Sequence, residues 1–581
     1  MKFKIYTLLA FFSILGLTAC SDFEKKNIDP YNPPYNPGES NDVNPDGIDL
    51  DYEISEAELK QLKNSESSIG SLFRNLTYEG LYNDYQVTTN LTHDIYAGYM
   101  ANASAGFHES SPTYVYTDKW SKRRWEHFYD DRTAQEYAQL VKIFHFVNPE
   151  KYKNEFYVTR IYYAFLISMQ TDTYGDIPLS YYVKGALPPD QNVSYDSQEK
   201  VYDIMFALLD QAIQNIEPSK GLNFGQSTKG KTNDKCFDQD INKWLRFANT
   251  LRLRLALRIS NINPGKAQEQ GVAALTNTHG LMQSNEDNMR TVPKFASIAD
   301  GGEDDGGSEN IHALIFSWGA GMLMSKDMEI AYKTQSSVLD PRCERLWWRP
   351  SPFEDLTKQI ESDKDYAGCP IGNPDVLGSK STEQYSTIRA SISKDKTLNP
   401  DCWFSFSREL VWLGYAESCF LKAEAALRGW QGAGSVRDNY LAGIQASLAY
   451  FQIDASKANA YIDGLKNDPF AGSNKEAQLE QIITQKWLAM FPNGNEGWAE
   501  FRRTDYPRLL NIEENNSDGD VAEGKFIKRI KYPDSESMNP NRPSDYQGIR
   551  VWWDVADTNN DKGERNTANN FRNGIVSMLF R

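Results

Sequence analysis

Apolar residues return every three or four positions through most of this chain, the spacing that gathers them on one face of an α-helix. The pattern predicts helices over 56–73, 125–146, 155–170, 198–216, 240–259, 409–430, 437–451 and 475–491. In 198–216, Val201, Ile204, Met205, Leu208, Leu209, Ala212, Ile213 and Ile216 form one stripe, with Glu199, Asp203 and Asp210 off it. Such a stripe has to be buried against another helix. In 240–259, Trp244, Leu245, Ala248, Leu251, Leu255 and Ile259 point inward, which leaves Arg246, Arg252, Arg254 and Arg258 for the rim. Successive amphipathic segments joined by short turns predict stacked helical hairpins. Period-two alternation is scarce, so the expected fold class is predominantly all-α.

Trp412-Leu413-Gly414-Tyr415, followed by Ala423, Ala425 and Ala426, resembles part of the tetratricopeptide pattern, without a strict period. Small alanines there would let two helices approach while the large rings fill the gap beside them. The periodicity lapses over about 276–407, a loop-rich excursion that holds Asp300-Gly301-Gly302-Glu303-Asp304-Asp305-Gly306-Gly307. That run cannot be a helix interior.

The N-terminus has a different pattern: Lys2 and Lys4, an apolar run over 5–17, then Leu17-Thr18-Ala19-Cys20. This is the plan of an export signal, and its apolar run falls short of the roughly 20 residues that cross a bilayer. Leu17 and Ala19 before Cys20 resemble the lipobox of bacterial lipoproteins, which implies cleavage before Cys20 and acylation of that cysteine. Ser21, Asp22 and Glu24 resemble the surface-export signals of Bacteroidetes lipoproteins. The expected organisation is a signal peptide over 1–19, an acylated Pro-, Asn- and Gly-rich linker over 20–51, and one helical domain over 52–581. The expected location is the outer membrane, lipid-anchored and facing the cell exterior.

A formal charge of −17 disfavours capture of nucleic acid or anionic lipid by a basic patch. Beyond Cys20 stand Cys236, Cys343, Cys369, Cys402 and Cys419, none at CxxC spacing. An odd number leaves at least one thiol unpaired, and a fold with so few cysteines depends on its core.

Three segments carry a family resemblance. The first is Asp172-Thr173-Tyr174-Gly175-Asp176-Ile177-Pro178-Leu179-Ser180. The second is Gln485-Lys486-Trp487-Leu488-Ala489-Met490-Phe491, then Gly494 and Glu496-Gly497-Trp498-Ala499-Glu500-Phe501-Arg502-Arg503-Thr504-Asp505-Tyr506-Pro507. The third is Arg529-Ile530-Lys531-Tyr532-Pro533 with Glu536 and Asn539-Pro540. In this order, behind a lipobox, they resemble the SusD/RagB-like family of outer-membrane nutrient-binding lipoproteins. The resemblance implies tetratricopeptide-like hairpins on one side and an irregular ligand-binding side. It also implies a SusC-like TonB-dependent transporter as partner, to which the lipoprotein delivers an oligomeric nutrient, most often a glycan. Delivery of oligopeptides and a surface glycosidase on a helical scaffold are the alternative readings.

No nucleophile elbow, zinc-protease or dinucleotide motif is present, and the expectation is a non-catalytic protein without a cofactor. One metal pattern is complete: Asp42, Asn44, Asp46 and Glu53, with Gly47 at the turn, fit a calcium loop, although no helix precedes it and Pro45 stiffens it. Trp318, Trp347, Trp348 and Trp403 lie in the excursion among glycines, prolines and charges. Aromatic faces there either stack on the C–H faces of sugars or pin the excursion to the body. For Trp347 and Trp348, beside Arg345 and Arg349, both readings stand; Trp403 reads as an anchor. The candidate ligand surface is Trp318, Trp347, Trp348, Tyr96 and Tyr99, with Asn90, Asp94 and Arg349 as polar contacts.

Overall fold

Several helices in this protein start where a side-chain oxygen closes the first turn. The computed structural model describes residues 47–79, 81, 85–102, 105–188, 192–226, 232–291, 322–351, 362–376, 381–389, 402–404, 409–465 and 474–554. The helices used below are α1 (Glu56–Asn64), α2 (Ile69–Glu79), α3 (His93–Tyr96), α4 (Asp118–Glu126), α5 (Thr133–Lys142), α6 (Lys153–Tyr174), α7 (Gln198–Asn215), α8 (Ile241–Arg258), α9 (Pro264–Leu275), α10 (Lys326–Thr334), α11 (Pro341–Leu346), α12 (Tyr415–Leu427), α13 (Val436–Tyr450), α14 (Ala455–Asp463), α15 (Lys475–Met490) and α16 (Gly494–Thr504). Ser55, Ser197, Asp240 and Asn474 cap α1, α7, α8 and α15 by accepting from first-turn backbone N–H groups. Gly175, at φ +84°, ends α6 in a conformation that a side chain would strain.

The expected stripe of α7 is buried as predicted, with Val201, Met205, Leu208, Leu209 and Ala212 fully covered against α6. α12 and α13 form the hairpin that the alanine pattern suggested. Ala423 and Ala425 are buried, and Gly443 lies so close to Phe420 that a Cβ would come within 2.7 Å of its ring. Phe420, Tyr440, Ile444, Leu448, Tyr461 and Ile482 make a small second core there, beside the main one. Cys236, Cys343, Cys369, Cys402 and Cys419 are buried free thiols. No described helix is long and apolar enough to cross a membrane.

Three expectations change. The segment 125–146 divides into the end of α4, a π-helical turn, α5 and a second π-helical turn, because Arg132 leaves the helical region at φ −147°. Within 409–430, Leu410–Leu413 is a strand that pairs antiparallel with Met289–Thr291, and the helix starts only after Gly414. An uninterrupted apolar run of this length suits a covered strand as well as a helix. Arg254 and Arg258, expected at the rim, are buried at 5 % and 0 % exposure.

The buried arginines are matched by acids from distant helices. Arg254 pairs with Glu417 at 2.6 Å, and Arg258 reaches Glu496 at 2.5 Å and Glu500 at 2.6 Å. Lys486 joins Glu496 at 3.1 Å, while Arg503 holds Glu424 at 2.7 Å and Glu500 at 2.6 Å. This knot ties α8 to α12, α15 and α16. Breaking one partner would leave the others charged and uncompensated in the interior.

The excursion is stitched on by a small sheet in the order β1 (Met100–Asn102), β3 (Met322–Met324), β5 (Thr387–Ile388), β4 (Trp347–Trp348), all antiparallel. The two-residue β4 is its edge. The other described sheet joins β2 (Met289–Thr291) to β6 (Leu410–Leu413).

Candidate ligand-binding site

Successive side chains of a strand face opposite sides, and β4 separates its two tryptophans accordingly. Trp347 is fully buried: its Nε1 donates to the Tyr332 hydroxyl at 3.3 Å, and its ring lies 5.3 Å from Phe491. Trp348 is half-buried, with the Arg389 guanidinium 4.5 Å over its indole. Burial thus differs between the neighbours: Trp347 pins the excursion, and Trp348 stands at its edge.

Arg389 is held by its surroundings rather than by an acid. Its backbone N donates to Leu346 O at 2.8 Å and its Nη1 to Glu344 O at 2.7 Å, and no carboxylate among the described residues forms an ion pair with it. Arg349 lies 5.0 Å over Tyr366 and donates to Lys364 O at 3.2 Å, while the Lys364 ammonium donates to Glu383 O at 2.7 Å. A partly exposed indole with one guanidinium against it is a surface that can stack on the C–H face of a sugar. Trp403 is buried, 5.5 Å from Arg345 and edge-on to Tyr450 and Phe451, the anchoring role expected of it.

The early segment corrects the expectation that its side chains line the ligand surface. Asn90, Asp94, Tyr96 and Tyr99 are all buried. Asp94 accepts from Asn90 Nδ2 at 3.0 Å, from Gly494 N at 2.9 Å and from the Tyr85 hydroxyl at 3.0 Å. Burial pushes its carboxyl up to about 7, against the hydrogen bonds from Asn90, Tyr85 and Gly494. The Tyr99 hydroxyl donates to Trp487 O at 2.7 Å, and the Tyr96 ring lies 5.2 Å from Trp498. A Cβ on Gly494 would fall 2.3 Å from Asp94 Oδ1, and one on Gly497 2.7 Å from the Tyr99 hydroxyl. These polar and aromatic groups bind α3 to α16 and leave no ring face for a ligand in this conformation.

Trp318 lies outside the described residues, as do Cys20, Asp42, Asn44 and Asp46; Glu53 is exposed. Among the described residues no group of three or more His, Cys, Asp or Glu side chains is arranged to hold a metal ion.

Residues 60–533 match the SusD-like family described as "Starch-binding associating with outer membrane". The chain belongs to the SusD-like family. Among solved structures, a chitin-binding SusD homolog from Flavobacterium johnsoniae is 28% identical at a TM-score of 0.64, covering 86% of this chain and 99% of that one. A SusD homolog from Bacteroides vulgatus is 26% identical at a TM-score of 0.68, covering 86% and 100%. One from Parabacteroides distasonis, 23% identical at 0.69 over 84% and 98%, shares the fold. No curated protein sequence matches the chain.

In this SusD-like protein the motifs that carry the family resemblance are architecture. Trp498 and Arg502 stack at 3.6 Å, Arg503 and Lys486 sit in the ion knot, and Tyr532 donates to Asp176 O at 2.7 Å, which ties the third segment to the first. Sequence reasoning missed Arg389. It lies far from Trp348 along the chain, and only the pairing of β4 with β5 brings the two together.

Proposed function

We propose that this protein captures oligosaccharides at the outer-membrane surface, leaves them uncleaved, and hands them to a SusC-like TonB-dependent transporter. The observation that carries this reading is the match over 60–533 to a family described as starch-binding and outer-membrane-associated. The 28% identical chitin-binding homolog supports a glycan as ligand. The contacts in this reading are the Trp348 indole for the C–H face of a sugar, with Arg389 over it and Arg349 next along the chain as donors to hydroxyl oxygens. In this reading residues 1–19 are removed, Cys20 carries the acyl anchor, and 20–51 tether a single domain.

An affinity screen of the chain lacking residues 1–20 against polysaccharides and mixed peptides tests the ligand class. The expected result is binding to polysaccharide, with a labelled oligosaccharide recovered intact. Binding to peptides alone would overturn the glycan reading, and hydrolysis that disappears on carboxylate mutation would make the protein a glycosidase. Cys20→Ala should abolish metabolic lipid labelling and release the protein from the membrane. A mild-detergent pull-down from native membranes should recover a large barrel; repeated recovery of the lipoprotein alone would contradict the partnership.

A further inference from the structure

Between β6 and the C-terminal ends of α13 and α15 lies a slot with Asn285, Ala416 and Tyr450 at its partly exposed mouth and Trp403, Phe491 and Asn493 at its buried floor. Trp403 and Tyr450 meet edge-on with ring centres 5.0 Å apart, so no sugar ring fits between them. The slot admits a substituent rather than a ring.

Two of its side chains have an unmet acceptor. Asn493 is 3 % exposed; its Nδ2 donates to Trp412 O at 3.0 Å, and its Oδ1 has no partner. Asn285 donates from Nδ2 to Ala446 O at 3.0 Å, and its Oδ1 is likewise buried without a partner. A buried carbonyl oxygen without a donor is destabilising, and a ligand N–H or O–H would relieve it.

The acids of the slot are already matched. Glu409 is bound by Arg290 at 2.8 Å, and Glu417 by Arg254 at 2.6 Å and Lys486 at 3.4 Å. No excess negative charge remains to recruit an ammonium group, so the fitting ligand group is neutral. A hydroxyl would satisfy an acceptor but leave the indole and phenyl walls wetted. An acetamido group brings an N–H donor and a methyl together.

We propose that this slot is a subsite for the acetamido arm of an N-acetylated amino sugar, whose N–H donates to an asparagine Oδ1 and whose methyl lies against Trp403 and Phe491. The ring stays outside, at the mouth. The inference rests on the oligosaccharide reading and names the substrate class within it.

Titration calorimetry with the N-acetylglucosamine tetramer and the glucose tetramer of the same linkage tests the subsite. Wild type should prefer the acetylated tetramer by about tenfold, the scale of one well-made buried hydrogen bond. Ala416→Phe, which plugs the mouth, and Asn285→Leu, which removes an acceptor, should each bring that ratio close to one. The ratio is read against the glucose tetramer titrated on the same variant, with a cooperative melting curve showing that the variant is folded. If one variant proves unstable, the other carries the test. An undiminished ratio in a folded variant, or no acetyl preference in wild type, overturns the subsite while the oligosaccharide reading survives. Failure of both tetramers and of every polysaccharide in the screen overturns that reading and the subsite with it.

Discussion

Arginine lies over tryptophan in two very different settings in this molecule. In α16, Arg502 sits 3.6 Å over Trp498 and 4.9 Å from Trp553, is 2 % exposed, and donates to Lys528 O at 2.9 Å. Burial lowers its pKa to about 9, partly offset by Asp172 and Asp554. At the edge of the excursion, Arg389 lies 4.5 Å over a half-buried Trp348. The first pair is sealed between helices, where its energy goes into holding the body together. The second lies at a sheet edge, with both Trp348 and Arg389 partly exposed. The contrast shows that the same pairing of residue types occurs both sealed in the body and partly exposed at an edge, so composition alone does not separate them.

The largest effects should separate body from edge. Arg258→Ala removes the partner of Glu496 and Glu500 and leaves two buried carboxylates under-compensated. It should cost about 3 to 5 kcal/mol in chemical denaturation without changing oligosaccharide affinity in the folded fraction. Trp347→Ala should cost a similar ~3 to 5 kcal/mol, because a buried indole leaves a cavity. A loss below about 1 kcal/mol in either variant would erase the distinction.

The next effect is pH-dependent. Asp94 titrates at about 7 in the folded protein against an ordinary 3.8, and Asp327 is likewise held at about 7 by burial. The folded state therefore binds these protons more tightly than the unfolded chain. Their contribution is fully present below pH ~4 and is lost as pH rises through 7. The melting temperature should fall between pH 5 and pH 8, and Asp94→Asn should flatten part of that fall. An unchanged slope in Asp94→Asn would show that the carboxyl is ionised at the α3–α16 contact throughout this range.

Much of the body was legible in the sequence. The stripe of α7, the start of α15 and the alanine-lined hairpin follow from periodicity and capping residues that lie close together in the chain. The interior charges were not: Arg254 meets Glu417 across 163 positions and Arg258 meets Glu500 across 242, so a helix wheel sees only an arginine off the apolar stripe. The early segment misled for a related reason. A buried hydrogen-bonded cluster and a sugar-binding rim have the same composition, and what separates them here is the close approach of Gly494 and Gly497 from the far end of the chain. At β4, two identical neighbours differ in burial through the alternation of a strand that the loop-rich reading of 276–407 did not anticipate.

The smallest predicted change in stability belongs to Trp348→Ala, under about 1 kcal/mol, since the side chain is half-buried at an edge. The same substitution tests the central claim most directly, in a titration against an oligosaccharide that wild type binds. Affinity should fall by about 1 to 3 kcal/mol, the scale of an aromatic anchor, with the melting curve close to wild type. Unchanged affinity in a folded Trp348→Ala protein would contradict the assignment of this edge as the ligand-facing surface.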